Sequence, residues 1–344
     1  MTVLESTVTE PGDPIWLDAN TGEIRGASPH EWLALRLLRL SMAMLAPLNQ
    51  LGFSKVATLV RAILPSKKDV LVELAEDARM LVPYCDPYWG ALVVPKFEQE
   101  DELHTFVRLF RDVPFGFIDA GANYGIWSAL LTGKDAGQKP VVAIELAPDT
   151  FEALQTNRGL NGNRFTALNR AIGEVSGQPV RVYDAKHESR SVVAPKASAK
   201  VLAEVETISL DDVAALPAFE GIETFVVKLD VEGVEVPALK GAKGLLAKDS
   251  VFVFEDHGSD PDHEVSMYAL NELGMRLFFF HDGGCIELNN AQDLTRLKKA
   301  PRVGYDITAT RSAFWLERIE EVLAESRNHS VPSADSDLVV RPQA

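Results

Sequence analysis

The sequence predicts an α/β protein: a doubly wound, mostly parallel sheet of about seven strands, preceded by a helical extension. Three observations predict it. The apolar run Val113 to Ile118 reads as a buried strand ending at Asp119, after which Gly121 and Gly125 turn the backbone into a helix beginning near Tyr124. Two further apolar strands, Val141 to Glu145 and Thr224 to Asp230, also close on carboxylates. Strand-like and helix-like stretches alternate through this region, which implies right-handed crossovers and one sheet with helices on its faces.

In chain order, residues 1–27 read as a flexible tail, because Met1 to Pro14 is polar and rich in Thr, Glu and Pro. Residues 28–65 form the helical extension. Ser28-Pro29-His30-Glu31 is a helix start, and Trp32, Leu35, Leu38, Met42 and Leu45 recur at helical spacing before a second helix, Lys55 to Leu64. That stripe has to be covered, by the core or by a second subunit in a homodimer; an amphipathic helix on a membrane surface is the weaker reading. Residues 66–114 hold short strands, turns and a helix, Glu98 to Arg111, with Tyr84, Tyr88 and Trp89 read as packing.

The main domain is expected over 115–320. Its strands include Phe165 to Ala171, the pair Val180 to Tyr183 and Val201 to Leu210, Val251 to Glu255, Met275 to His281 with a hairpin at Asp282-Gly283-Gly284, and Ser312 to Leu316 as a last strand. Helices are expected at Pro148 to Leu160, Val234 to Leu246 and Asp262 to Leu273. Asp184 to Ala199 reads as a mobile insert able to close over a site, and 321–344 as a flexible tail.

Ligands of an open α/β sheet bind outside the carboxyl ends of its strands, where a glycine turn exposes amides and a carboxylate can accept from both hydroxyls of a ribose. Gly121-x-x-x-Gly125 lacks the third glycine of the dinucleotide fingerprint, and no Gly-Lys-Ser/Thr follows. A nucleotide-dependent oxidoreductase and a non-catalytic binding protein with a degenerate pocket are the competing classes. The net charge of −16 and pI near 4.9 oppose a nucleic-acid partner. Only Cys85 and Cys285 are present, too few for a disulfide framework or a cysteine-rich metal site. With no leader pattern and no apolar run long enough to span a bilayer, a cytoplasmic protein is expected.

Asp119-Ala120-Gly121-Ala122-Asn123-Tyr124-Gly125, Glu145-x-x-Pro148, Lys228-Leu229-Asp230-Val231-Glu232-Gly233-x-Glu235 and Leu239-Lys240-Gly241-Ala242, in this order, resemble the FkbM family of S-adenosylmethionine-dependent methyltransferases. The resemblance covers roughly Asp69 to Leu316. It implies a class I methyltransferase (Rossmann-like) fold and O-methylation of a sugar, glycan or secondary-metabolite hydroxyl. By resemblance Asp119, Gly121, Asn123 and Gly125 surround the methionine part of the cofactor, Glu145 holds the ribose, Asn169, Arg170 and Ala171 lie near the adenine, and Tyr124 and Asp230 also belong to the cofactor site. Transfer to a hydroxyl also needs a proton acceptor. His257, whose ordinary pKa is near ~6.5, is the first candidate, with Lys228 and Asp230 beside it and His281 as a rival. Asp230, Glu232, Glu255 and Asp256 offer oxygen ligands for magnesium, to which the sequence does not commit.

Overall fold

The computed structural model describes residues 13–46, 50–96, 101–183, 191–192, 200–299 and 304–328. These form two compact units, one from residues up to 75 with 79–97, the other from 76–78 and the rest of the chain. The expected tails, in their parts before residue 13 and after 328, and most of the insert 184–199 lie outside the described residues.

The first unit is a mixed α and β structure, in which the short strands expected after residue 66 share a sheet with two strands from the stretch read as a tail. Strands β1 (Ile15–Asp18), β2 (Ile24–Arg25), β3 (Asp69–Ala75) and β4 (Ala78–Pro83) form a sheet of order β2-β1-β3-β4. β1 lies within the stretch read as a tail. Ile15 and Leu17 alternate inward and are fully buried, a signal too short to stand out from the polar residues around it. Helices α1 (Pro29–Leu45) and α2 (Phe53–Ile63) complete the unit. Glu31, in the first turn of α1, is buried; burial opposes its charge, but donors on Ser66 and Ser28 outweigh that and hold its pKa down at about 2. Of the predicted stripe, Leu35, Leu38 and Met42 are buried inside this unit, whereas Trp32 remains 45% exposed and Leu45 is half-buried. Tyr84 and Trp89 are buried, as packing requires.

The second unit carries the main sheet. Its elements in order are α3 (Asp101–Leu109), β5 (Gly116–Ala120), α4 (Ile126–Leu131), β6 (Val141–Glu145), α5 (Pro148–Leu160), β7 (Thr166–Asn169), β8 (Ala171–Ile172), β9 (Pro179–Tyr183), β10 (Val201–Ile208), α6 (Leu210–Ala214), β11 (Thr224–Leu229), α7 (Glu235–Lys240), β12 (Asp249–Glu255), α8 (Glu264–Asn271), β13 (Arg276–His281), β14 (Gly284–Leu288), α9 (Ala291–Leu297), β15 (Asp306–Thr310) and α10 (Ala313–Asn328). The sheet has eight strands rather than about seven, in the order β14-β13-β15-β12-β11-β5-β6-β7. β7, β6, β5, β11 and β12 run parallel, and β15 inserts antiparallel between β12 and β13. A separate three-stranded sheet, β8-β10-β9, takes up the remaining strands.

The central strands are mostly apolar because helices cover both faces, with charged residues confined to positions near their carboxyl ends and to the start of β12. Along β13, Leu277 and Phe279 join a core that contains Ala238 and Leu239 of α7 and Val265 and Ala269 of α8. On the alternate side, Phe280 meets Phe106 of α3 edge-on at 5.2 Å, and Phe106 lies 5.5 Å from Trp315 of α10. Ser312 to Leu316, read as a final strand, is therefore the approach to and first turn of α10; the strand is Asp306–Thr310. A five-residue apolar run cannot distinguish the two by periodicity, and Trp315 is apolar because the helix uses it as its anchor. Among the described residues no helix is long and apolar enough to cross a membrane.

Phe106 ties α3 to both α10 and the sheet, so Phe106→Ala is expected to cost about 3–5 kcal/mol of stability, read from chemical denaturation. A loss below about 1 kcal/mol would show that the aromatic cluster does not hold this half together.

Candidate functional site

β5 ends at Ala120, and the chain then passes between its neighbours with no room to spare. A Cβ on Gly121 would lie 1.7 Å from the Asp230 carbonyl oxygen, and its φ of +82° disfavours any side chain. Asp230 N–H in turn donates to Ala120 O at 3.0 Å. Four amides of the turn are engaged inside the protein. Gly121 and Ala122 donate to Ile144 O at 3.0 and 2.9 Å, Asn123 to Glu145 Oε2 at 3.0 Å, and Gly125 to Ala122 O at 2.8 Å. For these four amides the expectation of donors facing a ligand is corrected. The turn is a rigid shelf rather than an amide cradle. Asn123 adopts φ +50°, and Tyr124 offers its carbonyl to Asn157 Nδ2 at 2.9 Å. Gly125 makes room for Leu154, whose Cδ1 would be 2.5 Å from a Cβ there.

Glu145, buried at the end of β6, bridges two turns: Oε2 accepts from Asn123 and Oε1 from Ala147 N–H at 2.9 Å. Asn169 at the end of β7 donates to Glu145 O and Leu146 O at 2.8 and 3.0 Å. Ala171 and Gly121 line one mostly apolar cavity with Ile144, Leu146, Ile172 and Val231, and Arg170 also borders it. The structure thus brings together Asp119, Gly121, Asn123, Gly125, Glu145, Asn169, Ala171 and Asp230 at the carboxyl ends of β5, β6, β7 and β11.

Asp119 is the buried centre of this group. Its Oδ2 accepts from Ser128 Oγ at 2.6 Å, while Oδ1 has no hydrogen-bond partner among the described residues. Burial raises its pKa; the Lys228 ammonium and the Ser128 hydroxyl pull the other way. Lys228 is Asp119's register partner on β11, is itself buried, and donates to Asp230 Oδ2 at 3.0 Å.

Farther along the same edge, carboxylates crowd. Burial pushes the Glu255 carboxyl up to about 9, helped by repulsion from Asp230, Asp306, Glu232 and Glu235. Glu255 therefore holds a proton far more readily than an ordinary carboxyl, and a protonated carboxyl is a donor as well as an acceptor. Asp256 is turned away from this edge. Its carboxylate receives Lys298 Nζ and Ser266 Oγ, and Lys298 also donates to Asp260 O at 2.9 Å and His263 Nδ1 at 2.8 Å. All three ammonium protons are engaged, so Asp256 is withdrawn from the oxygen set considered for magnesium. Among the described residues no group of three or more His, Cys, Asp or Glu is placed to hold a metal. His257 lies exposed past β12, where its Nδ1 accepts from Ser259 N–H at 3.1 Å. His281 is buried and stacks on Phe279 at 5.7 Å. The Lys298 network had no sequence signal, because its partners are 35 to 42 residues away from it.

A mixed sheet with a glycine shelf and carboxylates at its carboxyl edge defines an α/β protein whose candidate ligand site lies at the carboxyl ends of its strands. Residues 119–277 match the family model of the methyltransferase FkbM domain. Among solved structures, methyltransferase FkbM from Methylobacillus flagellatus KT is similar at 16% identity and a TM-score of 0.35, over 57% of this chain and 43% of that one. This chain thus spans less than half of that protein. Precorrin-6y C5,15-methyltransferase from Geobacter metallireducens GS-15 is similar at 12% identity and a TM-score of 0.32, over 60% and 86% of the two chains. TYW2 from P. horikoshii, in complex with MeSAdo, is similar at 12% identity and 0.33, over 74% and 81%. No match was found among curated proteins.

Gly121→Ala is expected to cost at least about 3 kcal/mol, because the new methyl meets backbone rather than a movable side chain. Denaturation of the purified variant measures it, and an unchanged midpoint would mean the two turns do not touch. Glu255 gives a pH dependence whose sign is fixed. Its folded pKa lies above the unfolded one, so stability present below about 4.5 is lost as pH rises toward about 9. Glu255→Gln removes that loss, and urea midpoints from pH 5 to 9 should show the variant gaining on the parent as pH rises.

Proposed function

We propose that this chain is an S-adenosylmethionine-dependent O-methyltransferase whose acceptor is a hydroxyl of a sugar, glycan or secondary metabolite. The match to the FkbM domain supports methyl transfer. The observation that carries the cofactor assignment is Asp119 Oδ1, a buried carboxylate oxygen without a partner among the described residues, at the end of the strand that leads into the glycine turn. A buried acceptor of this kind calls for a donor, and an amino-acid ammonium supplies one. Glu145 stands at the end of β6, its carboxylate held in place by the Asn123 and Ala147 amides, and supplies the acceptor-only group that a ribose diol requires. Asn169 orients the turn after Glu145, and the cavity between Gly121 and Ala171 is mostly apolar, as an adenine ring requires. The acid-rich edge suits a cationic ligand.

Bound S-adenosylmethionine supplies a methyl group already made electrophilic by its sulfonium. The chain's own tasks are to align the acceptor and take one proton. We assign the proton to Asp230. Its side chain is 37% exposed, and the buried Lys228 ammonium holds one oxygen in place. Lys228, between Asp119 and Asp230, acts as a cation rather than a base. His257 has its Nδ1 engaged by the N–H and hydroxyl of Ser259, so only its Nε2 is left to face an acceptor.

Calorimetry is expected to show S-adenosylmethionine binding, weakened by about 1–3 kcal/mol in Asp119→Asn. Asp230→Asn should keep that binding and lose methyl transfer to hydroxyl acceptors. Absence of binding to the unaltered chain overturns the assignment.

A further inference from the structure

We propose that the first unit docks on an anionic lipid surface through the outer faces of α1 and α2. Helix α1 is apolar on two sides. Its inner side, Ala34, Leu35, Leu38 and Met42, is buried in the unit. Its opposite side repeats Leu33, Leu37, Leu40 and Met44 at intervals of four, three and four residues, and these stand between 38% and 70% exposed. On α2, Leu59 and Ile63, one turn apart, are 58% and 66% exposed. An apolar stripe of this length on a soluble unit marks a contact surface.

Charge chooses the occupant. The whole chain carries −16, yet residues 28–68 hold six basic side chains and a single acid, Glu31. Glu31 is buried and paired with Lys68, and Arg39 is turned inward to the carbonyls of Val93 and Gly22. Arg36, Lys55, Arg61 and Lys67 remain exposed, with Asp69 the acid that acts on Arg61. The Arg36 guanidinium lies 4.7 Å from the ring centroid of the half-exposed Trp32, which joins a cation to an amphipathic ring of the kind that settles at headgroup depth. A second copy of this chain is the competing occupant. A two-fold interface would set this cationic face against itself, whereas anionic headgroups complement it and the apolar stripe enters the acyl boundary.

Flotation of the full chain with mixed phosphatidylcholine–phosphatidylglycerol vesicles tests the assignment. Binding is expected, at least about tenfold weaker on phosphatidylcholine alone and reduced by added salt. Leu40→Glu/Met44→Glu replaces exposed residues and should abolish binding with an unchanged circular dichroism spectrum. Arg36→Gln/Lys55→Gln should reduce the preference for phosphatidylglycerol. No binding, binding that ignores both variants, or a dimer in sedimentation dissolved by Leu40→Glu/Met44→Glu overturns the proposal.

Discussion

The site depends on one steric fact, the approach of two backbones at Gly121 and Asp230. The turn leaving β5 runs against the turn leaving β11 so closely that a single methyl group would overlap a carbonyl oxygen. Everything around it follows from that approach. It sets Asp119 beside Lys228 and Asp230, and the bonds from Gly121, Ala122 and Asn123 to Ile144 and Glu145 extend the same lock to β6. Three strand ends are thereby fixed before any ligand arrives. A pre-formed site of this kind avoids the ordering cost that a flexible loop would charge against binding.

How much of this was legible depends on how local the signal was. The buried parallel strands β5, β6, β11 and β12 read directly as apolar runs, and the acids at the ends of β5, β6 and β12, with Asp230 just past β11, marked the functional edge. β15 did not read, since Asp306-Ile307-Thr308-Ala309-Thr310 looks half polar. It is nonetheless fully buried, and Thr310 Oγ1 satisfies itself on Ser250 O at 2.8 Å. The glycines were legible as turn formers, but their reason was not: the empty space at Gly121 belongs to a neighbouring carbonyl, a fact about a residue more than a hundred positions away. Asp256 shows the same gap. Adjacent to Glu255 in sequence, it belongs to a different environment, because successive residues leaving a strand point to opposite sides and Lys298 waits on the far one.

Electrostatics separates the two halves of the chain more sharply than its composition suggests. In the second unit, acids accumulate at the carboxyl edge of the sheet, and burial together with their mutual repulsion raises the pKa of Glu255. Crowding of that degree lowers stability, and nothing in the packing of β12 demands a carboxyl at its last position. A protein that tolerates the penalty gains a field that favours positive ligands at the strand ends and a carboxyl able, when protonated, to donate there. In the first unit, the exposed charges on α1 and α2 are basic and lie among uncovered Leu, Ile and Met side chains. Neither arrangement follows from the need to fold, since buried apolar strands and helix faces already supply the core of each unit. Each places charge where it costs stability or solubility, and such placements are the ones that binding explains and packing does not.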